Sequence, residues 1–471
     1  MLLGALTGSG ESTPITGFAI DHRKVAPGTV FGAFRGSRFN GEDFISDAVS
    51  AGAVAVVSRP DTRVEGVLHI AAEEPRREFA RLAAKFFRPF PKTVVAVTGT
   101  NGKTSNVELC RQLWRMAGCP SASIGTLGVT TSDDQVTTGL TTPDIVTFLS
   151  NMAGLAKMGI THAAFEASSH GLAQYRTEGL PVHAAAFTNF SRDHLDYHGT
   201  MEAYFEAKMR LFEEVVEPDG TAIVWTDDAR SDEVIRRCRA RGLELMTVGR
   251  KGEALRLVSR ETTALGQKLV IEAGGKAHQV NLALIGAYQA ANALTAAALV
   301  IATGGEVAPT LANLARVHPV RGRLERAVIT RAGAPIYVDY AHTPDAIESA
   351  IEALRPHAKD RLITVFGAGG DRDVGKRAEM GAMAARMSDL VIVTDDNPRS
   401  EDPAAIRRDI LAGCPGAREV AGRREAIRAA VEEAGPGDII LLAGKGHEQG
   451  QIIGDVVHPF DDVQVARECA A

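Results

Sequence analysis

Short, almost unbroken apolar runs alternate along this chain with longer segments whose apolar positions recur every three to four residues. The first pattern reads as buried strands and the second as amphipathic helices. Near the start, Val30–Phe34, Ala53–Val57 and Val67–Ile70 read as strands, and Arg76–Phe87 as a helix. Arg88-Pro89-Phe90-Pro91 then interrupts the pattern, because closely spaced prolines resist a continuing helix. Further on, the pattern predicts strands at Val94–Thr98, His162–Glu166, His183–Thr188 and Thr221–Trp225. Helices are predicted at Lys103–Met116, Asp144–Leu155, Met201–Val215 and Tyr288–Ala302. Short alternating segments between Leu255 and Val280 predict an antiparallel extension. Strands return at Pro335–Asp339, Arg361–Phe366, Leu390–Thr394 and Asp438–Leu442, with helices between them. This alternation predicts an α/β fold built on mostly parallel sheets with crossover helices.

At 471 residues the chain exceeds one ordinary core. Three domains are expected, over residues 1–88, 89–325 and 326–471. A hydrophobic share of 45% and a charged share of 23% describe a soluble globular protein. The net charge of −6, with no Lys/Arg block, predicts no nucleic-acid partner. Five scattered cysteines without a C-x-x-C pair argue against a disulfide framework and a zinc knuckle. The first residues lack the basic flank of a signal peptide, and the apolar stretch near Ala293–Ala302 is too short to span a bilayer. A cytoplasmic, monomeric enzyme without membrane insertion is expected.

Chemistry is concentrated where strands end. Val94–Ser105 reads VVAVTGTNGKTS, an apolar strand running into a glycine-rich turn and then a helix. Such a turn gathers backbone N–H groups at the positive end of the helix dipole and cradles phosphate. Val97 stands where the longer G-x-x-x-x-G-K-[ST] loop has its first glycine, so the loop is the shorter Gly99–Thr104. Lys103 suits terminal phosphates and the Thr104 hydroxyl suits Mg²⁺. The loop alone does not separate a ligase from an ATPase, a kinase or a GTP switch.

The strand at 162–166 ends in Glu166, placed either to bind Mg²⁺ or simply to cap a loop. Ser168, Ser169, His170, Gln174 and Arg176 follow it closely. A second dense cluster, Thr188 to Gly199, includes Asp193, His194 and His198. Taken singly these histidines read as structural, but two strand-end clusters after a phosphate loop favour a metal–nucleotide site. Lys208 reads from its helix as an ordinary solvated lysine. Three late loops, Gly367–Asp373, Thr394–Arg399 and Gly444–Glu448, also follow strand ends. Their arginines suit a carboxylate and their acids an ammonium, which together suit a zwitterionic amino acid, although ordinary turns with surface arginines share this composition.

GTNGKTS, EASSHGLAQYR, NFSRDHLDYHG, VDYAHTPD, GAGGDRD, TDDNPR and AGKGHE, in this order, resemble the Mur ligases of peptidoglycan synthesis over about residues 16 to 455. The resemblance implies a small N-terminal UDP-binding domain, a central P-loop-type ATPase domain and a C-terminal Rossmann-like amino-acid-binding domain. It implies ATP as cosubstrate, held by Gly99, Thr100, Asn101, Gly102, Lys103, Thr104 and Ser105, with Asn292 at the adenine and Arg323 near the hinge. It implies Mg²⁺ on Thr104, Glu166, His194 and Lys208, with Lys208 carrying a carbamate formed from CO₂. Lys103, Glu166, His194 and Lys208 would be catalytic. His22, Ser37, Thr141, Thr142, Ser168, Gln174 and Arg176 would bind UDP-N-acetylmuramoyl-L-alanyl-D-glutamate. Asp396-Asn397-Pro398-Arg399, with Arg372, Gly444 and Glu448, would bind meso-diaminopimelate, joined to the D-glutamate side-chain carboxylate through an acyl phosphate. Three positions depart from the family's usual pattern: Asp21-His22-Arg23 for Asp-Ser-Arg, Arg321-Gly322-Arg323 for Pro-Gly-Arg, and Tyr288-Gln289 for Phe-Asn. L-lysine as the amine, or a folylpolyglutamate synthase-like reaction, is the alternative within this chemistry, and the Asp-Asn-Pro-Arg loop argues against both. A nucleotide-gated switch is the alternative outside it, and leaves the polar clusters unexplained.

Overall fold

The computed structural model describes residues 1–471 except 9–11, 37–38, 133, 137–138 and 265. Its strands form three large sheets and one small hairpin. Four parallel strands, Gly17–Ala19, Thr29–Gly32, Ala53–Ser58 and Leu68–Ala71, make the first sheet. The helix Pro75–Phe87 ends at the cis Arg88–Pro89 bond. Its inner face, including Phe79 and Leu82, joins the same apolar cluster as Phe148, Leu149 and Met152 of the helix Ile145–Lys157. The proline-rich break therefore marks a turn in the chain, while the core runs on across it.

The central sheet has eleven strands. Thr93–Thr98 lies at its middle, parallel to Val182–Phe187 on one side and His162–Glu166 on the other. All three are apolar through most of their length because helices cover both faces. The register pairs Val97 with Glu166 and Thr98 with Phe187, so the phosphate loop, Glu166 and the Thr188 cluster emerge side by side. The antiparallel extension consists of Leu255–Thr263, Gly266–Ala273 and Lys276–Leu282. The helix starting at Met201 ends at Arg210 and gives way to a π-helical turn over Leu211–Val215, which no proline or glycine signals in the sequence.

The third sheet runs in the order Glu325–Ile329, Pro335–Asp339, Ile439–Ala443, Leu362–Phe366, Leu390–Val393, Arg418–Glu419, parallel except for its first strand. Ile439–Ala443, late in the chain, inserts between two earlier strands. Order reversal of this kind leaves a crevice at the carboxyl ends of strands, where ligands bind in open α/β sheets. Among the described residues no helix is long and apolar enough to cross a membrane.

Candidate active site

A cavity of about 440 Å³ opens over the phosphate loop. Thr100 to Ser105 line it, with Thr126, Thr141, Glu166, Ser168, Asp193, His194, Lys208, Asn292 and Arg323 among the other walls. The loop is pinned from the neighbouring strand end. Thr100 N donates to Asn189 O at 2.9 Å, and Asn101 N to Asn189 Oδ1 at 2.8 Å. Gly102 adopts φ +86°, a left-handed conformation that lets the helix begin at Lys103.

Two lysines converge beneath this loop. Lys103 Nζ donates to Gly99 O at 2.9 Å and Thr100 O at 2.8 Å. Lys208 Nζ donates to Gly99 O at 2.8 Å and lies 4.3 Å from the Tyr204 ring centroid. Lys208 is 1% exposed, so the solvated reading of its helix position is wrong. Burial pushes its ammonium well below the usual lysine range, and the nearby Lys103 charge adds to this. Burial also lowers Lys103, against the pull of Glu166 and Asp193. Glu166 shows the converse: burial raises its carboxyl, while Lys103 and the Thr126 N–H at 2.7 Å oppose the shift. A desolvated carboxylate beside the Thr104 hydroxyl is chemically suited to Mg²⁺, which prefers a few protein oxygens completed by substrate phosphates. Among the described residues no three His, Cys, Asp or Glu side chains are arranged to hold a metal alone.

Arg323 reaches across from the third sheet's side. Its Nη2 donates to Thr104 Oγ1 at 2.9 Å, and its guanidinium lies 4.5 Å from the Tyr340 ring centroid. The Tyr288-Gln289 departure joins the same junction. Tyr288 OH donates to Asp339 Oδ2 at 3.3 Å, and Gln289 Nε2 to Arg323 O at 3.2 Å. Asn292 Oδ1 accepts from Asn106 Nδ2 at 3.0 Å.

A second cavity of about 200 Å³ lies at the carboxyl ends of the third sheet. Arg372, Asp396, Asn397, Arg399, Gly444 and Glu448 line it; Pro398 does not. Asn397 Nδ2 donates to Glu448 Oε2 at 2.8 Å. Arg399, held at φ +52°, donates from Nη1 to Gly370 O at 2.7 Å, and Arg372 Nη1 donates to Asp371 O at 3.0 Å. Each guanidinium is anchored through Nη1 on a backbone carbonyl, which leaves its other N–H groups to meet a carboxylate on a ligand.

The two cavities share Asp193, His194, Tyr340 and His342. Asp193 is the electrostatic centre of this boundary. His194 Nε2 lies 3.4 Å, His342 Nε2 3.7 Å and Lys376 Nζ 3.7 Å from its carboxylate. Burial pushes this carboxyl up, but a hydrogen bond from His342 and the pull of the His342, His194 and Lys376 side chains outweigh it and hold Asp193 well below the usual range. His342 Nδ1 donates to Tyr340 O at 2.8 Å, which turns Nε2 towards Asp193. Burial lowers His194 to about 3, leaving it neutral at pH 7. Asp193 and His342 sit in motifs already quoted, yet their meeting across two sheets has no local sequence signal.

The remaining expected substrate contacts scatter. Thr142 is buried and donates to Glu166 O at 2.7 Å, within the scaffold. Arg176 Nη1 donates to Thr142 O at 2.9 Å and Nη2 to Gln174 Oε1 at 2.7 Å. None of these three lines either cavity. His22, in the N-terminal unit, stacks on Phe44 with ring centroids 4.3 Å apart. Ser37 lies outside the described residues.

A glycine-rich loop at a helix start, lining one cavity that shares four wall residues with a second, suits a nucleotide-dependent ligase. The family comparison agrees in every part of the chain: the Mur ligase family catalytic domain matches residues 14–88, the Mur ligase middle domain 97–300 and the Mur ligase glutamate ligase domain 322–446. The chain belongs to the Mur ligase family. It is 58% identical to the UDP-N-acetylmuramoyl-L-alanyl-D-glutamate–2,6-diaminopimelate ligase of Zymomonas mobilis, covering 97% of this chain and 94% of that one. It is 52% identical to the protein of the same name from Bradyrhizobium diazoefficiens, over 95% and 93%. A solved structure of a ligase of that name aligns with a TM-score of 0.73 at 32% identity, covering 100% of this chain and 98% of that one.

Proposed function

We propose that this chain is an ATP-dependent amide ligase that joins meso-diaminopimelate to the D-glutamate side-chain carboxylate of UDP-N-acetylmuramoyl-L-alanyl-D-glutamate. The observation that carries the reading is the continuity of the two cavities through Asp193, His194, Tyr340 and His342. A phosphate-binding loop and an amino-acid pocket on opposite sides of one boundary suit sequential activation and amide formation. The names of the similar ligases supply the substrates. In this reading residues 1–88 bind the UDP end, 89–325 ATP and 326–471 the amino acid, and the enzyme works as a cytoplasmic monomer.

A carboxylate is a poor acyl donor because oxide is a poor leaving group. Transfer of the γ-phosphoryl group to the carboxylate oxygen gives an acyl phosphate and ADP. The Gly99–Ser105 backbone and Lys103 position the phosphates, and Lys103 stabilises charge on the group in flight. Thr104 and Glu166, with His194, would hold Mg²⁺, which neutralises phosphate charge when bound. Lys208 fits a carbamate: burial favours its neutral amine, whose nitrogen would bond the CO₂ carbon and shed one proton to solvent, leaving an anion where lysine normally carries a cation. Arg399 and Arg372 would grip a carboxylate of the amino acid, and Asp396 and Glu448 its ammonium. The other amino group, in its neutral form, then attacks the acyl carbon, phosphate leaves, and the proton shed by the nitrogen passes to the departing phosphate or to solvent.

Carboxylate-¹⁸O dipeptide substrate tests this sequence of events. One ¹⁸O per turnover should appear in the released phosphate, and only when ATP and the amino acid are both present. Unlabelled phosphate would reject the acyl phosphate.

A further inference from the structure

Beneath the second cavity lies a buried ion pair that the chemistry above does not use. Arg423 opens the helix Arg423–Glu433, and Asp462 opens the C-terminal helix Asp462–Ala470. Neither side chain has exposed surface. Arg423 Nε donates to Asp462 Oδ1 at 2.7 Å and Nη2 to Oδ2 at 2.6 Å. Nη2 also donates to Ala443 O at 2.9 Å, one residue before Gly444 of the cavity wall. The remaining nitrogen, Nη1, is buried without a hydrogen-bond partner. It lies 3.9 Å from Asp396 Oδ2.

An ion pair of this kind is a poor source of stability, since desolvating both charges offsets most of their attraction. A buried donor left unpaired adds to that cost. The arrangement makes sense if the guanidinium acts on Asp396, the nearest other carboxylate. Two further features fix the same acid. Asn397 N donates to Asp396 Oδ1 at 2.7 Å, which leaves Oδ2 facing the guanidinium. A Cβ on Gly444 would come within 2.7 Å of Oδ2, so glycine there leaves the carboxylate its room. Glu448 has a parallel support: the fully buried Lys445 donates from Nζ to Glu448 Oε2 and to Asn397 Oδ1, both at 3.1 Å.

We propose that Arg423, clamped by Asp462, is a positioning residue for Asp396, and that the C-terminal helix thereby takes part in amino-acid recognition. Asp462 fixes the guanidinium plane, and the free Nη1 holds the Asp396 carboxylate in one orientation towards the cavity. This rests on the second cavity being the amino-acid site.

Removing one partner alone would strand the other charge, so the test removes both. Arg423→Met with Asp462→Leu replaces the pair by apolar groups, a change that buried pairs tolerate. The KM for diaminopimelate should rise at least tenfold, with the ATP KM and kcat within twofold of wild type. A folded double variant whose diaminopimelate KM stays within twofold would overturn the proposal. If the double variant fails to fold, Arg423→Lys keeps the charge but loses the fork. It should raise the same KM at least threefold, and an unchanged value overturns the proposal equally. Wild-type enzyme that ignores diaminopimelate would reject the reading of the cavity instead. The same comparison is then made with whichever amino acid the wild type consumes.

Discussion

Replacing Lys208 by Met separates function from stability. Met matches the length of the lysine stem, so packing changes little. The lost hydrogen bond to Gly99 O is worth about 1 kcal/mol, and that carbonyl keeps its bond from Lys103 at 2.9 Å. Relief from burying an amine offsets this loss, so near the upper end of the lysine range, at about pH 10.4, the variant should lose no more than about 1.5 kcal/mol, and at lower pH it should be the more stable of the two. Turnover should fall at least 10³-fold, which is about 4 kcal/mol of transition-state stabilisation. Both tryptophans, Trp114 and Trp225, lie in the central unit, so their fluorescence in urea reports unfolding there. In CO₂-depleted buffer the wild type should gain stability over the variant as pH rises. Burial depresses the folded-state pKa of Lys208, so between that value and about 10.4 the unfolded chain binds more protons. The gain approaches about 1.4 kcal/mol per pH unit within that window and vanishes below it. A variant keeping a tenth of wild-type turnover would make Lys208 a core filler. Parallel pH profiles would show that its amine is not desolvated.

Gly102→Ala adds a Cβ at φ +86°, against Asn292 Oδ1, and should weaken ADP binding by calorimetry at least tenfold; unchanged affinity would remove Gly102 from the cradle. Arg399→Ala should raise the diaminopimelate KM at least tenfold with the ATP KM within twofold, and equal effects on both would argue against the second cavity as the amino-acid site. Asp193→Asn removes the carboxylate that His342 and Lys376 face across the sheet boundary, so kcat should fall at least tenfold and limited proteolysis should release the C-terminal unit more readily. Wild-type cleavage rates in that variant would show that Asp193 does not couple the units.

The elements with strong periodicity were legible in the chain. Lys103–Met116 forms as predicted, and the three strands that carry the phosphate loop, Glu166 and the Thr188 cluster fall within a residue of their expected bounds. Ser121–Gly125 was not legible: SASIG lacks β-branched bulk apart from Ile124, and its pairing with His162–Glu166 on one side and Gly128–Thr130 on the other makes it a strand. Lys208 was misjudged from its helix because periodicity says which face a residue occupies, not what covers that face. The loops of the second cavity could be listed from strand ends, whereas their meeting depends on Ile439–Ala443 inserting out of order. The contact between Arg423 and Asp462 has no local sequence signal for the same reason. Their pairing spans 39 residues and appears only when two helices converge under the sheet.

Mass spectrometry of the UDP-linked product tests the central claim most directly. The purified protein is given ATP, Mg²⁺, UDP-N-acetylmuramoyl-L-alanyl-D-glutamate and each of a panel of amino acids. A mass gain of one residue, with stoichiometric ADP, should appear with meso-diaminopimelate and fall to background with L-lysine. Equal or better use of L-lysine would contradict the account.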